Sequence, residues 1–177
     1  PVGVDSPKPQ LSWELESAER DQRQSAYRIL VASTFEALAA DRGDVWDSGQ
    51  VKSADSAHVA YGGATLSSRQ RYHWKVQVWD GDGQPSRWSK PAFWEMALLQ
   101  PADWKARWIG SGSATEPRPP EGFFKSRKEH TNLMQQVKFD GRSTLLRKEF
   151  TVSKPIKRAQ VYATGLGYYE LFCNGQR

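Results

Sequence analysis

Carboxylates are the residues of this sequence best suited to acid–base chemistry, which needs one protonated and one ionised carboxyl about 6.5–9.5 Å apart when water is the nucleophile. The candidates are Asp80, Asp82, Glu95, Glu149 and Glu170. Asp80 and Asp82 lie in an Asp-Gly-Asp-Gly run, where aspartate is favoured because it hydrogen-bonds the turn backbone. Glu149 and Glu170 lie in strand-like segments as outward partners of other side chains. We therefore expect structural roles for these carboxylates and predict no catalytic residue in the chain.

Tryptophan is the second residue type with chemical potential, because its flat ring can stack on a sugar ring. All eight tryptophans lie within the first 108 residues, and they fall inside strand-like patterns. Tryptophan buries a large area and fits a pleated sheet, so packing in a β-sandwich is the favoured interpretation and a sugar-stacking platform is the alternative. The eight are Trp13, Trp46, Trp74, Trp79, Trp88, Trp94, Trp104 and Trp108.

Metal, cofactor and nucleophile signals are weak in this sequence. Cys173 is the single cysteine, which excludes a disulfide within the chain and a cysteine-based metal site. His58, His73 and His130 share no ligand spacing. The glycines at 165 and 167 lack the third glycine and the helix of a dinucleotide loop. We predict no cofactor-binding and no metal-binding residue.

Length and composition suit one domain, or two small ones, in a chain of 177 residues. The apolar runs are far shorter than the roughly 20 residues of a membrane-spanning helix, and no secretory signal is visible. Residues 1–100 carry 11 basic and 13 acidic side chains, whereas residues 101–177 carry 14 and 7. The basic charges are scattered rather than organised on one element, so a solvated face is favoured over nucleic-acid binding. We expect neither nucleic acid nor a membrane as a partner.

Short strands dominate the first 100 residues. Alternation or β-rich composition predicts strands at 10–15, 26–32, 45–46, 58–61, 71–79 and 92–96, with one or two helical turns over 34–40 capped by Thr34. In the clearest strand, Tyr72, Trp74, Val76 and Val78 are predicted to share one face. Regular turn spacing is typical of a fibronectin type III or immunoglobulin-like sandwich, which we assign to residues 1–100.

The remainder divides into a linker and a second unit. Residues 101–143 are predicted to form a hinge and an irregular, charged and proline-rich linker or insertion, partly disordered over 111–142. Residues 144–177 contain three predicted strands, at 147–152, 156–164 and 168–173. Asn174 and Gly175 then form the strongest short-range hairpin signal, with only two residues after them. We therefore expect an all-β chain whose second β-sandwich domain is incomplete, that is, a piece of a longer protein.

An ordered set of segments resembles the N-terminal region of bacterial α-L-rhamnosidases. The segments are PKPQLSW at 7–13, QSAYRILVA at 24–32, VWDSG at 45–49, YHWKVQVWD at 72–80, WS at 88–89, WKARWI at 104–109, LRKEF at 146–150, and GLGYYEL at 165–171 followed by NG at 174–175. Each segment is weak alone, but their order covers nearly the whole chain except 111–142.

The resemblance implies a fibronectin-type domain followed by the start of an N-terminal β-sandwich domain. It also implies a parent enzyme that hydrolyses terminal α-L-rhamnose with inversion, using acidic residues of a later helical barrel. This fragment would then be non-catalytic, its partner would be that barrel in the same polypeptide, and the rhamnoside would bind the full-length enzyme.

Other interpretations stay open at the level of sequence. A stand-alone carbohydrate-binding module would use the tryptophans, and a protein-interaction module would use the fibronectin-like surface. Trp88 and Ser89, preceded by Arg87, also permit a stack of arginine on tryptophan. Localisation is unassigned, since one cysteine suits either compartment, with a slight preference for an intracellular protein because Pro1 is compatible with removal of a starting methionine.

Overall fold

A computed structural model describes residues 1–18, 20–110, 144–165 and 167–177. The chain divides into two units, Pro1–Arg107 and Trp108–Arg177. Within the described residues, no helix has the length and apolar character needed to cross a membrane.

The first unit is a sandwich of a large sheet and a small one. The large sheet has the order β1-β7-β6-β3-β4, and the small sheet pairs β2 with β5. A 3₁₀ turn at Pro101–Asp103 follows the last strand. The elements are β1 (Val2–Val4), β2 (Gln10–Leu11), β3 (Ala26–Ala32), α1 (Phe35–Ala39), β4 (Trp46–Asp47), β5 (Val59–Ala60), β6 (Arg71–Trp79) and β7 (Ala92–Met96).

The main core lies between the two sheets and follows the alternation of the strands. The predicted face of β6 is confirmed, because Tyr72, Trp74, Val76 and Val78 all belong to this core. Antiparallel pairing of β3 with β6 sets Ile29 opposite Val76, and Ile29 is fully buried. Burial of such a side chain stabilises the fold by about 1.5–3 kcal/mol, which explains why these strands form the centre of the sheet.

The predicted helical turn over 34–40 is confirmed as α1. The Thr34 hydroxyl caps the helix by accepting a hydrogen bond from the backbone N–H of Ala37 at 3.2 Å. Ala37 and Leu38 pack against Leu30 on the outer face of the large sheet and form a second, smaller core. The helix therefore covers part of a sheet face that would otherwise meet solvent.

Two strands differ from the sequence prediction. The predicted strand at 10–15 ends after Leu11, because Trp13 leaves the ladder: its backbone N–H donates to the Ser56 carbonyl and its indole N–H to Gln24. Strand β1 was not predicted, and it pairs parallel with β7. Three residues with Gly3 at a φ of +80° carry no alternation signal, so this pairing is a long-range effect.

The second unit confirms one prediction and corrects another. Cys173 and Gln176 exchange backbone hydrogen bonds across a turn in which Asn174 and Gly175 have φ of +51° and +78°, the two positive values that a type I′ hairpin turn requires. Apart from this bridge, no strand pairing is assigned among residues 144–165 and 167–177, so the predicted strands 147–152, 156–164 and 168–173 are not found as ladders there. The interpretation of 111–142 as a linker or insertion lies outside the described residues.

Apolar side chains of these three segments are exposed rather than packed. A strand is stabilised by ladder hydrogen bonds, and in the described part of this unit the assigned pairing is that of the terminal hairpin. The exposed apolar residues are Leu145, Leu146, Phe150, Val152, Ile156, Val161, Tyr168, Tyr169, Leu171 and Phe172.

Candidate functional site

The outer face of the large sheet carries most of the charged and aromatic groups that face away from the main core. Alternation places Arg28 of β3, Arg71, His73 and Lys75 of β6, and Phe93 of β7 on this face. Helix α1 covers one part of the face and leaves the rest open.

Under the helix, Lys75 is almost fully buried, with 6% of its surface exposed. Its ammonium donates a hydrogen bond to the Leu38 carbonyl at 2.7 Å and pairs with the Asp41 carboxylate. It also lies 5.0 Å from the centre of the Trp88 ring. A buried ammonium needs such partners, so Lys75 ties the C-terminal end of α1 to the sheet and has a structural role.

Trp88 carries a second cation on the same ring. The guanidinium carbon of Arg28 lies 5.9 Å from the ring centre, and Arg28 also forms a two-pronged hydrogen bond with Asp47 at 2.6 and 2.9 Å. The hydrogen bond from Arg28 lowers the pKa of the Asp47 carboxyl below its usual value. Stacking on Trp88 is thus present, but the cations are Arg28 and Lys75 rather than the neighbouring Arg87 that the sequence suggested.

On the open part of the face, the His73 ring contacts the rings of Phe35 and Phe93. We call these three residues, together with Arg71, the Phe35–Phe93 patch. The His73 ring lies between the phenylalanines, 6.0 Å from Phe35 and 6.3 Å from Phe93 between ring centres. The Arg71 guanidinium lies 4.4 Å from the centre of the Phe93 ring. Arg71 also pairs with Glu95 at 3.2 Å, so the patch combines open aromatic surface with a neutralised charge.

Acidification is expected to destabilise the fold through His73. Burial lowers the pKa of His73, and repulsion from Arg71 lowers it further, against a smaller opposing attraction from Glu36. The unfolded chain therefore binds more protons in the window just below the ordinary histidine pKa of 6.5. The stability from neutral His73 is full above that value and is lost as pH falls through the window.

Urea unfolding at a series of pH values between about 7.5 and 5 tests this effect, because histidines bind protons in this range and the free energy of unfolding then changes with pH. In His73→Gln, the free energy of unfolding should fall less steeply as the pH is lowered. The matched control is His58→Gln, which replaces a histidine whose ring contacts Gln10 far from the patch. An unchanged slope in His73→Gln would contradict the assignment.

The tryptophans lie mainly in the core, as the favoured interpretation expected. Trp13, Trp46, Trp74 and Trp94 belong to the main core, and Trp88 packs against the smaller one. Trp46, Tyr61, Trp94 and Tyr72 form a continuous chain of edge-on and tilted rings 5.2–6.1 Å apart. Among the described residues, the exposed tryptophans are Trp104 and Trp108, at 38% and 67%. No flat row of tryptophans is formed on the described sandwich.

Four of the five carboxylates that the sequence singled out have a local partner. Asp80 accepts hydrogen bonds from the backbone N–H groups of Asp82 and Gln84 at 3.0 and 2.8 Å, as expected for a turn. The described ranges hold no cluster of three potential metal ligands. The remaining partnerships are Glu95 with Arg71, Glu149 with Arg147, and Glu170 with Tyr168 and Arg177.

Sequence reasoning missed the Phe35–Phe93 patch. Phe35 follows the helix cap and Phe93 lies near the start of a strand, so neither position carries a motif. The alternation of β6 placed Arg71 and His73 on one face, and that was the available signal. The partners that complete the patch come from elements distant in sequence.

The fold and its packing define the class of this protein as an immunoglobulin-type β-sandwich. Residues 1–100 match the family described as the Rha78A-like, N-terminal immunoglobulin domain, and the chain belongs to that family. The sequence left open whether these residues form a fibronectin-type or an immunoglobulin-like sandwich, and the matching family is described as an immunoglobulin domain.

Relatives of known class extend the comparison beyond residue 100. The chain is 39% identical over its whole length to an α-L-rhamnosidase of Formosa agariphila, of which it spans 18%. It is 45% identical over 119 residues, 67% of the chain, to an α-L-rhamnosidase of Streptomyces avermitilis, of which it spans 11%. The chain is therefore similar to a small part of much longer proteins.

Two solved structures share the fold over 62% of the chain. A crystal structure of the Streptomyces avermitilis α-L-rhamnosidase complexed with L-rhamnose matches with a TM-score of 0.59 and 48% identity, covering 10% of that chain. The α-L-rhamnosidase from Dictyoglumus thermophilum matches with a TM-score of 0.60 and 38% identity, covering 12% of that chain. The expected resemblance to the N-terminal region of these enzymes is confirmed.

Proposed function

We propose that this chain is the ancillary β region of an α-L-rhamnosidase, an enzyme that hydrolyses terminal α-L-rhamnose from rhamnosides with inversion. The observation that carries the proposal is 39% identity to such an enzyme along the whole chain. The match also includes the second unit, because the residues after 144 and the Asn174–Gly175 turn lie in the part of the chain that this relative matches.

The region itself is proposed to be non-catalytic. Inverting hydrolysis needs two carboxyls facing one sugar across about 6.5–9.5 Å. The carboxylates singled out in the sequence are instead engaged in a turn or in ion pairs with neighbouring side chains. Catalysis is then assigned to a helical-barrel domain of the same polypeptide, which would also bind the rhamnoside.

The domain division follows from the same proposal. We assign residues 1–100 to the immunoglobulin-like sandwich, 101–143 to a hinge and linker or insertion, and 144–177 to the start of a further β-sandwich domain. Supporting observations are the family match over 1–100 and the division into units near Arg107. The exposed apolar side chains of 144–177 support a domain that needs additional strands to bury them.

A hydrolysis assay tests the proposal. The full-length protein should release the aryl group from an aryl α-L-rhamnoside, whereas the 177-residue chain should not. The anomer formed first, followed by NMR, should be inverted relative to the substrate. Absence of a helical barrel in the full reading frame, or of hydrolysis by a folded full-length protein, would overturn it.

A stand-alone sugar-binding module is disfavoured by the position of the tryptophans. Four tryptophans of the sandwich pack in the main core and Trp88 packs against the smaller one, so the exposed tryptophans among the described residues are Trp104 and Trp108. A fluorescence titration with L-rhamnose would separate the two functions, because binding to these exposed rings would shift their emission.

A further inference from the structure

The chain leaves β7 along a short irregular segment, residues 97–104, which we call the exit strap. It contains the 3₁₀ turn at Pro101–Asp103. The sequence predicted a hinge from residue 101 onward, and connecting segments of this kind are ordinarily more mobile than the strands they follow. The backbone of the exit strap is instead bonded to the sandwich at several points, so it behaves as part of that unit.

The first half of the exit strap is held by backbone and core contacts. The Ala97 N–H donates to the Val4 carbonyl of β1 at 2.8 Å, and the Arg69 N–H donates to the Ala97 carbonyl at 3.1 Å. Leu99 packs against the main core, and its N–H donates to the Ser68 hydroxyl oxygen at 2.9 Å. These contacts tie the strap both to β1 and to the loop that precedes β6.

Asp103 holds the second half of the exit strap through its side chain and its backbone. One carboxylate oxygen accepts hydrogen bonds from the Ser68 hydroxyl and from the Gln100 N–H, the latter at 3.0 Å. The Asp103 carbonyl accepts another from the Arg69 guanidinium at 2.6 Å. Because the Ser68 hydroxyl accepts from Leu99 and donates to Asp103, both halves of the strap share one anchor on the loop.

Arg69 has a backbone conformation that arginine rarely adopts. Its φ is +65°, in the left-handed region that glycine enters without steric penalty. Another residue stays in this region only where the surrounding contacts hold it there. Arg69 donates to the strap twice, from its backbone to Ala97 and from its guanidinium to Asp103. The strained backbone of the loop is therefore coupled to the contacts of the exit strap.

The Asp103 carboxyl is ionised in this arrangement. The hydrogen bonds from the Ser68 hydroxyl and the Gln100 N–H lower its pKa below the ordinary value of 3.8, and the charges of Arg69 and Lys105 act in the same direction. An ionised carboxylate accepts stronger hydrogen bonds than a neutral carboxyl does. These bonds therefore keep their strength at neutral pH.

We propose that Asp103, Ser68 and Arg69 form a clasp that holds the exit strap on the immunoglobulin-like unit, so that the hinge begins after Trp104 rather than at residue 101. The closed clasp makes residues 97–104 part of the sandwich, whereas an open clasp would add them to the hinge. Asp103 is the positioning residue of this conformational device. The clasp goes beyond the proposed enzyme activity and does not depend on it.

Hydrogen exchange of the full-length protein, read by mass spectrometry, tests the clasp. In Asp103→Ala, peptides that cover residues 97–104 should exchange about tenfold faster, because the strap loses two hydrogen bonds and opens locally. Peptides that cover β7 should keep their exchange rate, since β7 is paired with both β1 and β6.

The matched control is Asp80→Ala. Asp80 is also a turn carboxylate that accepts two backbone hydrogen bonds, but its partners are Asp82 and Gln84 rather than the strap. This variant should leave exchange over residues 97–104 unchanged. Two results would overturn the clasp: unchanged exchange of the strap in Asp103→Ala, or an increase of the same size in β7.

Arg69→Gly separates the clasp from a general effect on stability. Glycine removes the guanidinium that bonds to Asp103 and also relieves the positive φ. Exchange over residues 97–104 should therefore rise roughly threefold or more, while the urea midpoint of the protein does not fall. Faster exchange that comes with a lower midpoint would show a merely structural role, and exchange at the original rate would refute the part of Arg69.

The control for this variant is Asp21→Gly, which relieves a φ of +62° at a residue outside the clasp and should leave exchange of the strap unchanged. The clasp and the proposed function can fail separately. A clasp that responds as expected in a full-length protein without rhamnosidase activity would refute the proposed function alone. An active rhamnosidase in which Asp103→Ala leaves the strap unchanged would refute the clasp alone.

Discussion

Replacing Trp94 with alanine is expected to lower the free energy of unfolding by about 3–5 kcal/mol, the range for large aromatic residues in a close-packed core. Trp94 is 2% exposed, and its ring packs against both Tyr61 and Tyr72. Its indole N–H also points at the Met96 sulfur, 3.1 Å away. Since a domain of this size is stabilised by about 5–15 kcal/mol, the variant should be close to unfolding at room temperature.

Trp108→Ala is the matched control, because it removes the same side chain from a position where 67% of it is exposed. Surface substitutions of this kind usually change stability by less than about 0.5 kcal/mol. Urea unfolding followed by far-UV circular dichroism measures both variants. Equal, small effects would show that Trp94 is not a core residue and would reopen the interpretation of the tryptophans as a binding platform.

Gln24→Ala is expected to cost about 2–4 kcal/mol, because it removes a buried amide and leaves its partners without hydrogen bonds. The Gln24 side chain accepts from the Trp13 indole at 2.9 Å and donates to the carbonyls of Ser53 and Asp55 at 2.9 and 2.8 Å. It therefore joins the segment after β2 to the loop before β5. The same unfolding experiment measures the loss, and near-UV circular dichroism reports the freed Trp13 ring.

The control for this prediction is Gln77→Ala. Gln77 donates one hydrogen bond, to the Ser86 carbonyl at 2.8 Å, from a partly exposed position on the outer face. Water can replace that bond, so the expected cost is below about 1 kcal/mol. If Gln24→Ala lowers the free energy of unfolding no more than Gln77→Ala does, the three hydrogen bonds of the Gln24 side chain contribute little to stability.

Prediction from sequence worked best where structure is local. Strands β3 and β6 begin and end at the predicted residues, and α1 starts at the predicted Thr34 cap. These features depend on side-chain alternation and on hydrogen bonds between residues a few positions apart. The strands predicted after residue 144 were not found as ladders, because a strand also depends on a partner that its own residues do not encode.

The candidate site was much less predictable than the strands. Alternation correctly separated Tyr72 and Val76 from His73 and Lys75, but it does not indicate what covers Lys75. In the folded chain α1 packs over that position, so Lys75 is buried and must pair with Asp41 and the Leu38 carbonyl. The cover comes from an element more than thirty residues away, which strand periodicity does not describe.

By itself, the sequence determined the β-rich character of the chain, the faces of its central strands, the capped helical turn, the Asn174–Gly175 hairpin and the resemblance to α-L-rhamnosidases. Each of these depends on residue order over short distances or on the presence of ordered motifs. Only the tertiary structure decided that β1 joins the sheet in parallel, that four of the tryptophans lie in the main core, and that Phe35 and Phe93 meet at His73. Those outcomes depend on which distant elements pack together, because burial and ring contacts are set by non-local packing.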